Sequence, residues 1–443
     1  MLHYGYKVIE QEKRGIYVSK ASAQAPGLVK SLGLPQIVAL YIGAVVGSGI
    51  LLIPGLAAEK AGPASILAWL LMSVLVLPMA ITMGLLSARY PSSGGVSTFV
   101  RKAYGDNSGN IVGWFFLLSV PIGAPILSVT GANYLAVLLN WGDLQIYVAA
   151  ALILVTVVLM NVFGLHVAAR VQTIVVALII TILILAVVAS LPHASMTHFT
   201  PFVPNGWMSV VSTAGLLFWC FIGWEAVTHL SEEFVDPRTN AIRGVLWSAG
   251  IVALLYLAVA FMTVATHSYG AGISAASLSI MVQLSLGPVG GWIVAITALF
   301  ICIATANAYV GAASRIAYSL ATEKIAPRWF GILHEKYRTP IGGLLFLSLC
   351  FFVVLSALYF GLIGLSELIV LPSATFFATY IGGCLAGVRL LHDSRAGRLA
   401  AWISLVFTVG LYPFLGWSAL YPIVIAAILF LWQKRKRIQT QSD

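Results

Sequence analysis

Tyr41-Ile-Gly-Ala-Val-Val-Gly-Ser-Gly-Ile50 lies inside an apolar run that extends from about Leu34 to Leu56. Each glycine in a helix interior costs about 1 kcal/mol against alanine. Bare backbone at membrane depth is tolerated only where it lines a cavity or is covered by protein. Gly47-Ser48-Gly49 therefore predicts a break in a helix. The competing reading is a close helix contact of the Gly-x-x-x-Gly kind, which Gly43 and Gly47 satisfy by spacing. A second interruption, Phe218-Trp-Cys-Phe-Ile-Gly-Trp-Glu225, puts a glycine and an acid into another apolar segment. Interrupted segments at matching places in two halves of a chain are the pattern of a transporter's binding site.

The rest of the chain fits a membrane setting. Of its residues 60% are hydrophobic and 9% charged, where a soluble domain carries about 25% charged residues. Runs of about 20 apolar residues give twelve spans, centred near residues 46, 76, 122, 154, 179, 219, 254, 300, 350, 378, 405 and 424. With the N-terminus placed inside, every one of the 24 Lys and Arg residues except Lys60 falls in a cytoplasmic segment, so both termini are expected to be cytoplasmic. The same rule accounts for the net charge of +10 without nucleic acid as a partner. The polar first 33 residues have no apolar core of a signal peptide.

Spans 1 to 5 and 6 to 10 form two groups, and an odd number per group forces the second to run inverted. The expected division is a tail over 1–33, a first repeat over 34–191, a second repeat over 207–391, spans 11 and 12 over 398–432 and a tail over 433–443. Cys220, Cys302, Cys350 and Cys384 sit in apolar runs without Cys-x-x-Cys spacing, so neither a disulfide framework nor a metal site is expected. No zinc-protease helix, nucleophile elbow or phosphate loop is present, which argues against an enzyme and for no cofactor.

At the first break, glycines free backbone N–H groups at the start of an outer half-helix, where the positive dipole end receives a carboxylate. At the second, carbonyls released near Phe218, Trp219 and Cys220 accept from an ammonium. The two together fit an α-amino acid, with Trp219 as a lid or, alternatively, an interfacial side chain. Glu225 is the most deeply placed acid, either a proton carrier or a carboxyl that ties down unwound backbone. Thr305, Asn307 and Tyr309 form a polar cluster in span 8 that either lines the cavity or bonds neighbouring helices.

These residues resemble the amino acid, polyamine and organocation (APC) superfamily of transporters. The resembling pieces are Gly47-Ser-Gly-Ile50 with Pro54, Arg89-Tyr-Pro-Ser-Ser-Gly-Gly95, the stretch Phe218 to Glu225 with Glu232-Glu233 and Asp236-Pro-Arg238, and Ser314-Arg315 through Ala321-Thr-Glu-Lys-Ile-Ala-Pro327 to Tyr337-Arg-Thr-Pro340. Within the superfamily the chain is most similar to the bacterial exporters of methionine and branched-chain amino acids, through Tyr90 to Val96, Phe218 to Phe221 and Gly416-Trp-x-x-Leu-Tyr421.

The resemblance implies an all-α, leucine-transporter-like fold with a 5+5 inverted repeat, broken helices 1 and 6, and two C-terminal helices. It implies efflux across the plasma membrane coupled to protons. By position it puts Ser48, Gly49 and the backbone near Ile50 at the carboxylate, Trp219, Cys220 and Ile222 at the amine and gate, Val45, Ser128 and Tyr309 around the side chain, and Glu225 in proton coupling, while Gly47 and Phe218 join the site from the reading of the breaks themselves. Sodium-independent relatives often carry a lysine in mid-span 5, where this chain has roughly Ile179, so sodium is the second reading of the coupling ion.

No candidate offers a charge to a substrate side chain, and an unpaired charge in the membrane costs several kcal/mol. The expectation is therefore a bacterial inner-membrane exporter of neutral apolar L-amino acids (methionine, leucine, isoleucine, valine), as a monomer or homodimer. An importer or exchanger of the same substrates, or a non-transporting amino-acid sensor, are the alternatives.

Overall fold

The computed structural model of the chain describes residues 28–442 apart from 271 and 272. Most of the expected N-terminal tail lies outside the described residues. In hydrocarbon every backbone polar group needs an internal partner, and the apolar runs answer with helices. The first break yields α1 (Leu34–Val45) and α2 (Gly49–Ala61), followed by α3 (Ser65–Arg89), α4 (Val96–Tyr104), α5 (Asp106–Leu139), α6 (Asp143–Val162) and α7 (Leu165–Ser190). The second yields α8 (Trp207–Leu217), a 3-10 turn over Phe218–Phe221 and the short α9 (Trp224–Thr228). Then come α10 (Pro237–Ala265), α11 (Ser277–Leu286), α12 (Pro288–Thr322), α13 (Ile341–Tyr359), α14 (Leu365–Leu390), α15 (Arg395–Leu411) and α16 (Leu420–Ser442).

No strand occurs among the described residues, only an isolated parallel bridge between Leu32 and Phe234. Nine helices among them are long and apolar enough to cross a membrane, or ten if the bent pair Arg395–Leu411 and Leu415–Leu431 is one span. The expected count of twelve exceeds this partly because the break leaves α1 only 12 residues long. α16 runs to Ser442, past the boundary expected at 433.

The core is built on α5 and α12, which pack together over their length, with α3 on α10 and with α1 held between α7, α10 and α12. Glycine makes the close approaches possible: a Cβ at Gly113 of α5 would lie 3.0 Å from the Leu320 side chain of α12, and one at Gly84 of α3 would lie 2.9 Å from Val245 of α10. Leu152, Leu159, Ile174, Leu185 and Phe352 stand exposed on α6, α7 and α13, as a lipid-facing surface requires.

Basic and acidic residues gather at one end. Arg89 makes a two-pronged bond to Asp393 (2.7 and 2.9 Å), and the guanidinium holds that carboxyl below the usual carboxylate range. Arg101 pairs with Glu323. Arg315, fully buried, bonds Glu233 through Nε at 2.8 Å. Nearby, the Ser93 N–H donates to Glu232 and the Ser92 N–H to Ser231 Oγ, which fastens the loop before α4 to the segment after α9. Lys60 stands apart, at the end where Asn205 Nδ2 donates to its carbonyl.

Candidate functional site

The two breaks meet. Val46 and Gly47 turn out of α1, with the Gly47 N–H reaching back to Val45 O, and α2 starts afresh at Gly49. Among the described residues no hydrogen bond leaves the Ser48 or Gly49 N–H, and both residues line a cavity. These are the free donors at a half-helix start that the sequence predicts.

On the other side, the N–H groups of Gly223 and Trp224 turn to Tyr380 Oη, each at 3.0 Å. The Gly223 N–H is shared with Glu225 Oε2 at 3.0 Å. The carbonyls of Trp219 and Cys220 are thereby deprived of the backbone partners a continuing helix would give, and Cys220 O takes a hydroxyl instead. One hydroxyl ties the breaks together: Tyr256 Oη on α10 lies 3.0 Å from Val45 O and 2.7 Å from Cys220 O.

The cavity enclosed here has a volume of about 270 Å³. Its polar end is Gly47, Ser48 and Gly49 facing Trp219, Cys220 and Ile222. Apart from Thr130, Thr305 and Tyr309 its remaining wall is apolar and includes Val120, Ala124 and Leu127 of α5 and Phe376 of α14. No charged side chain lines it. The α5 lining runs from Val120 to Thr130, away from the basic end where the Arg315–Glu233 pair and the Ser93–Glu232 bond lie.

Of the residues expected at the site, Val45, Gly47, Ser48, Gly49, Trp219, Cys220, Ile222 and Tyr309 line the cavity, and Trp219 is half exposed where a lid would stand. Three do not. Ile50 is fully buried and its N–H bonds Gly47 O at 3.3 Å, so it has no donor to offer a ligand. Phe218 stacks on Phe377, ring centroids 4.3 Å apart. Ser128 is buried and donates to Pro125 O at 2.8 Å within its own helix.

Glu225 is fully buried and outside the lining, and its Oε1 accepts from Tyr309 Oη at 3.1 Å. Tyr309 therefore stands between the cavity and the carboxyl. Thr305 lines the cavity and donates to Gly43 O at 2.9 Å, whereas Asn307 is engaged in helix bonding, accepting from Asn161 and donating to Gln172, each at 2.9 Å.

Span 5 meets α1 through Gln172. Its Nε2 donates to Ala304 O at 3.0 Å beside Gly43, where any Cβ would collide with it. The sequence reading also missed Tyr256, Tyr380 and the bare cavity wall at Gly123.

A family model described as amino acid permease matches residues 32–441. The chain belongs to the amino acid permease family, within the APC superfamily. It is 38% identical to the uncharacterized amino acid permease YecA of Bacillus subtilis (strain 168), over 93% of this chain and 97% of that protein. It is 28% identical to the L-methionine/branched-chain amino acid exporter YjeH of Escherichia coli (strain K12), over 93% and 98%. It is 25% identical to the branched-chain amino acid permease BcaP of Bacillus subtilis (strain 168), over 79% and 78%. These relatives are named as permeases and an exporter, not enzymes, and the permease is a multi-pass membrane protein.

Proposed function

We propose that this permease is a secondary transporter that moves neutral apolar L-amino acids, methionine, leucine, isoleucine and valine, out of the cell by alternating access in exchange for protons. The observation that carries the reading is the cavity where two broken helices meet, with free N–H groups on one side, the carbonyl end of the second break on the other and an uncharged, mostly apolar wall between. An α-carboxylate and an α-ammonium are matched by backbone dipoles. A charged substrate side chain would find no partner and would pay several kcal/mol for burial. The names of YjeH and BcaP favour the same substrates, and YjeH favours export.

The reading includes twelve spans in two inverted groups of five plus two, in a bacterial inner membrane with both termini cytoplasmic. In its support, each group has a short extra helix between its second and third spans, α4 in the first and α11 in the second. The basic end is then cytoplasmic, and the α5 lining of the cavity lies away from it.

Glu225 is the proposed proton carrier, since Tyr309 links it to the cavity and no cation pairs with it among the described residues. Glu225→Gln keeps the size and one acceptor oxygen for Tyr309, leaves the Gly223 N–H to Tyr380 Oη, and cannot release a proton. It is expected to retain exchange of labelled methionine in liposomes and to lose accumulation driven by a pH gradient. Accumulation equal to that of the unsubstituted protein removes Glu225 from the coupling role. The substrate class is checked by calorimetric titration: methionine and leucine bind, lysine and glutamate do not, and equal binding of all four contradicts it.

A further inference from the structure

α5 contains four glycines besides its two internal prolines, and three of them are explained by packing. A Cβ at Gly109 would lie 2.6 Å from Arg101 Cβ, one at Gly113 3.0 Å from Leu320, and one at Gly131 3.0 Å from Cys302. Gly123 differs. A Cβ there would meet nothing within 4 Å, its φ is not positive, and it lines the cavity. Inside a helix a glycine without a packing or backbone reason is a loss against alanine.

Gly123 shares a stripe of α5 with Leu127 and Thr130, spaced four and three residues on, and all three line the cavity. It is the member of that stripe nearest the basic end, beside Val120 and Ala124. We propose that Gly123 sets the upper size of the substrate side chain: the missing side chain is the space into which a methionine- or leucine-sized group extends. This rests on the proposed amino-acid site and adds the residue that makes it selective for long apolar side chains over short ones. The chemistry is steric. Each methylene that a filled wall turns away removes apolar burial, and a pocket discriminates by about tenfold or more per methylene.

The test is exchange in liposomes across alanine, valine, leucine and methionine for the unsubstituted protein, Gly123→Ala and Gly123→Leu. Gly123→Leu is expected to lower the preference for methionine over alanine by about tenfold or more, and Gly123→Ala to lower it by less. Should Gly123→Leu fail to fold, Gly123→Ala carries the test, because its Cβ has open space and the shift in preference stands in the same order. A uniform loss across the four amino acids, or an unchanged preference in both variants, overturns the assignment while leaving the amino-acid site intact. An unsubstituted protein that exchanges none of the four overturns both.

Discussion

Gly49→Val is expected to weaken binding of methionine and leucine by about 10- to 100-fold. A Cβ on Gly49 would fall 2.6 Å from Cys220 Sγ and 3.5 Å from Cys220 Cα. The sulfur could swing aside for alanine, but the two further methyl groups of valine press on the backbone of the second break. Overpacking of this kind costs about 1–3 kcal/mol, and 1.4 kcal/mol is a factor of ten in affinity. The strain falls on the N–H groups proposed to hold the carboxylate, so it is felt in binding and not only in stability. Calorimetric titration of purified protein reads it directly, and an unchanged affinity for both amino acids would remove the first break from the site.

Gly223→Ala is expected to destabilise the protein by more than its backbone strain alone. Gly223 has φ +137°, a conformation L side chains rarely adopt, and its Cβ would lie 2.7 Å from Ala44 O and 2.8 Å from Ala44 C. Backbone strain alone is about 1–3 kcal/mol. The rest comes from pushing the second break off α1, because backbone atoms cannot rotate out of the way as a side chain end can. Gly164→Ala is the control, since Gly164 has φ +115° with nothing within 4 Å of a Cβ. Thermal unfolding of both variants separates the terms: the loss for Gly223→Ala should clearly exceed that for Gly164→Ala. Equal losses would mean that the two breaks are not held in contact.

The breaks were legible because glycine is out of place in an apolar helix, and Gly47, Gly49, Trp219 and Cys220 do face the cavity. The expected residues that do not line it lie one position from ones that do: Ser128 beside Leu127, Phe218 beside Trp219 and Ile50 beside Gly49. One residue on a helix turns a side chain by about 100°, so apolar spacing locates a segment better than it locates a face. Tyr256 was invisible for another reason. It acts on carbonyls of Val45, 211 residues away, and Cys220, 36 away, and nothing in its own neighbourhood announces a long-range backbone partner. Gln172 and Tyr380 are of the same kind, polar groups whose role is fixed by what packs against them. Gly123 carries no signal of its own in a chain with 41 glycines, and only its place in the cavity wall with empty space beside it sets it apart.

The most direct measurement is counterflow: purified protein in liposomes loaded with unlabelled methionine, with entry of labelled methionine followed with and without an imposed pH gradient. The account predicts entry that exceeds empty liposomes and responds to the gradient. Binding of methionine without any exchange would contradict it and identify a sensor that keeps the fold of a permease.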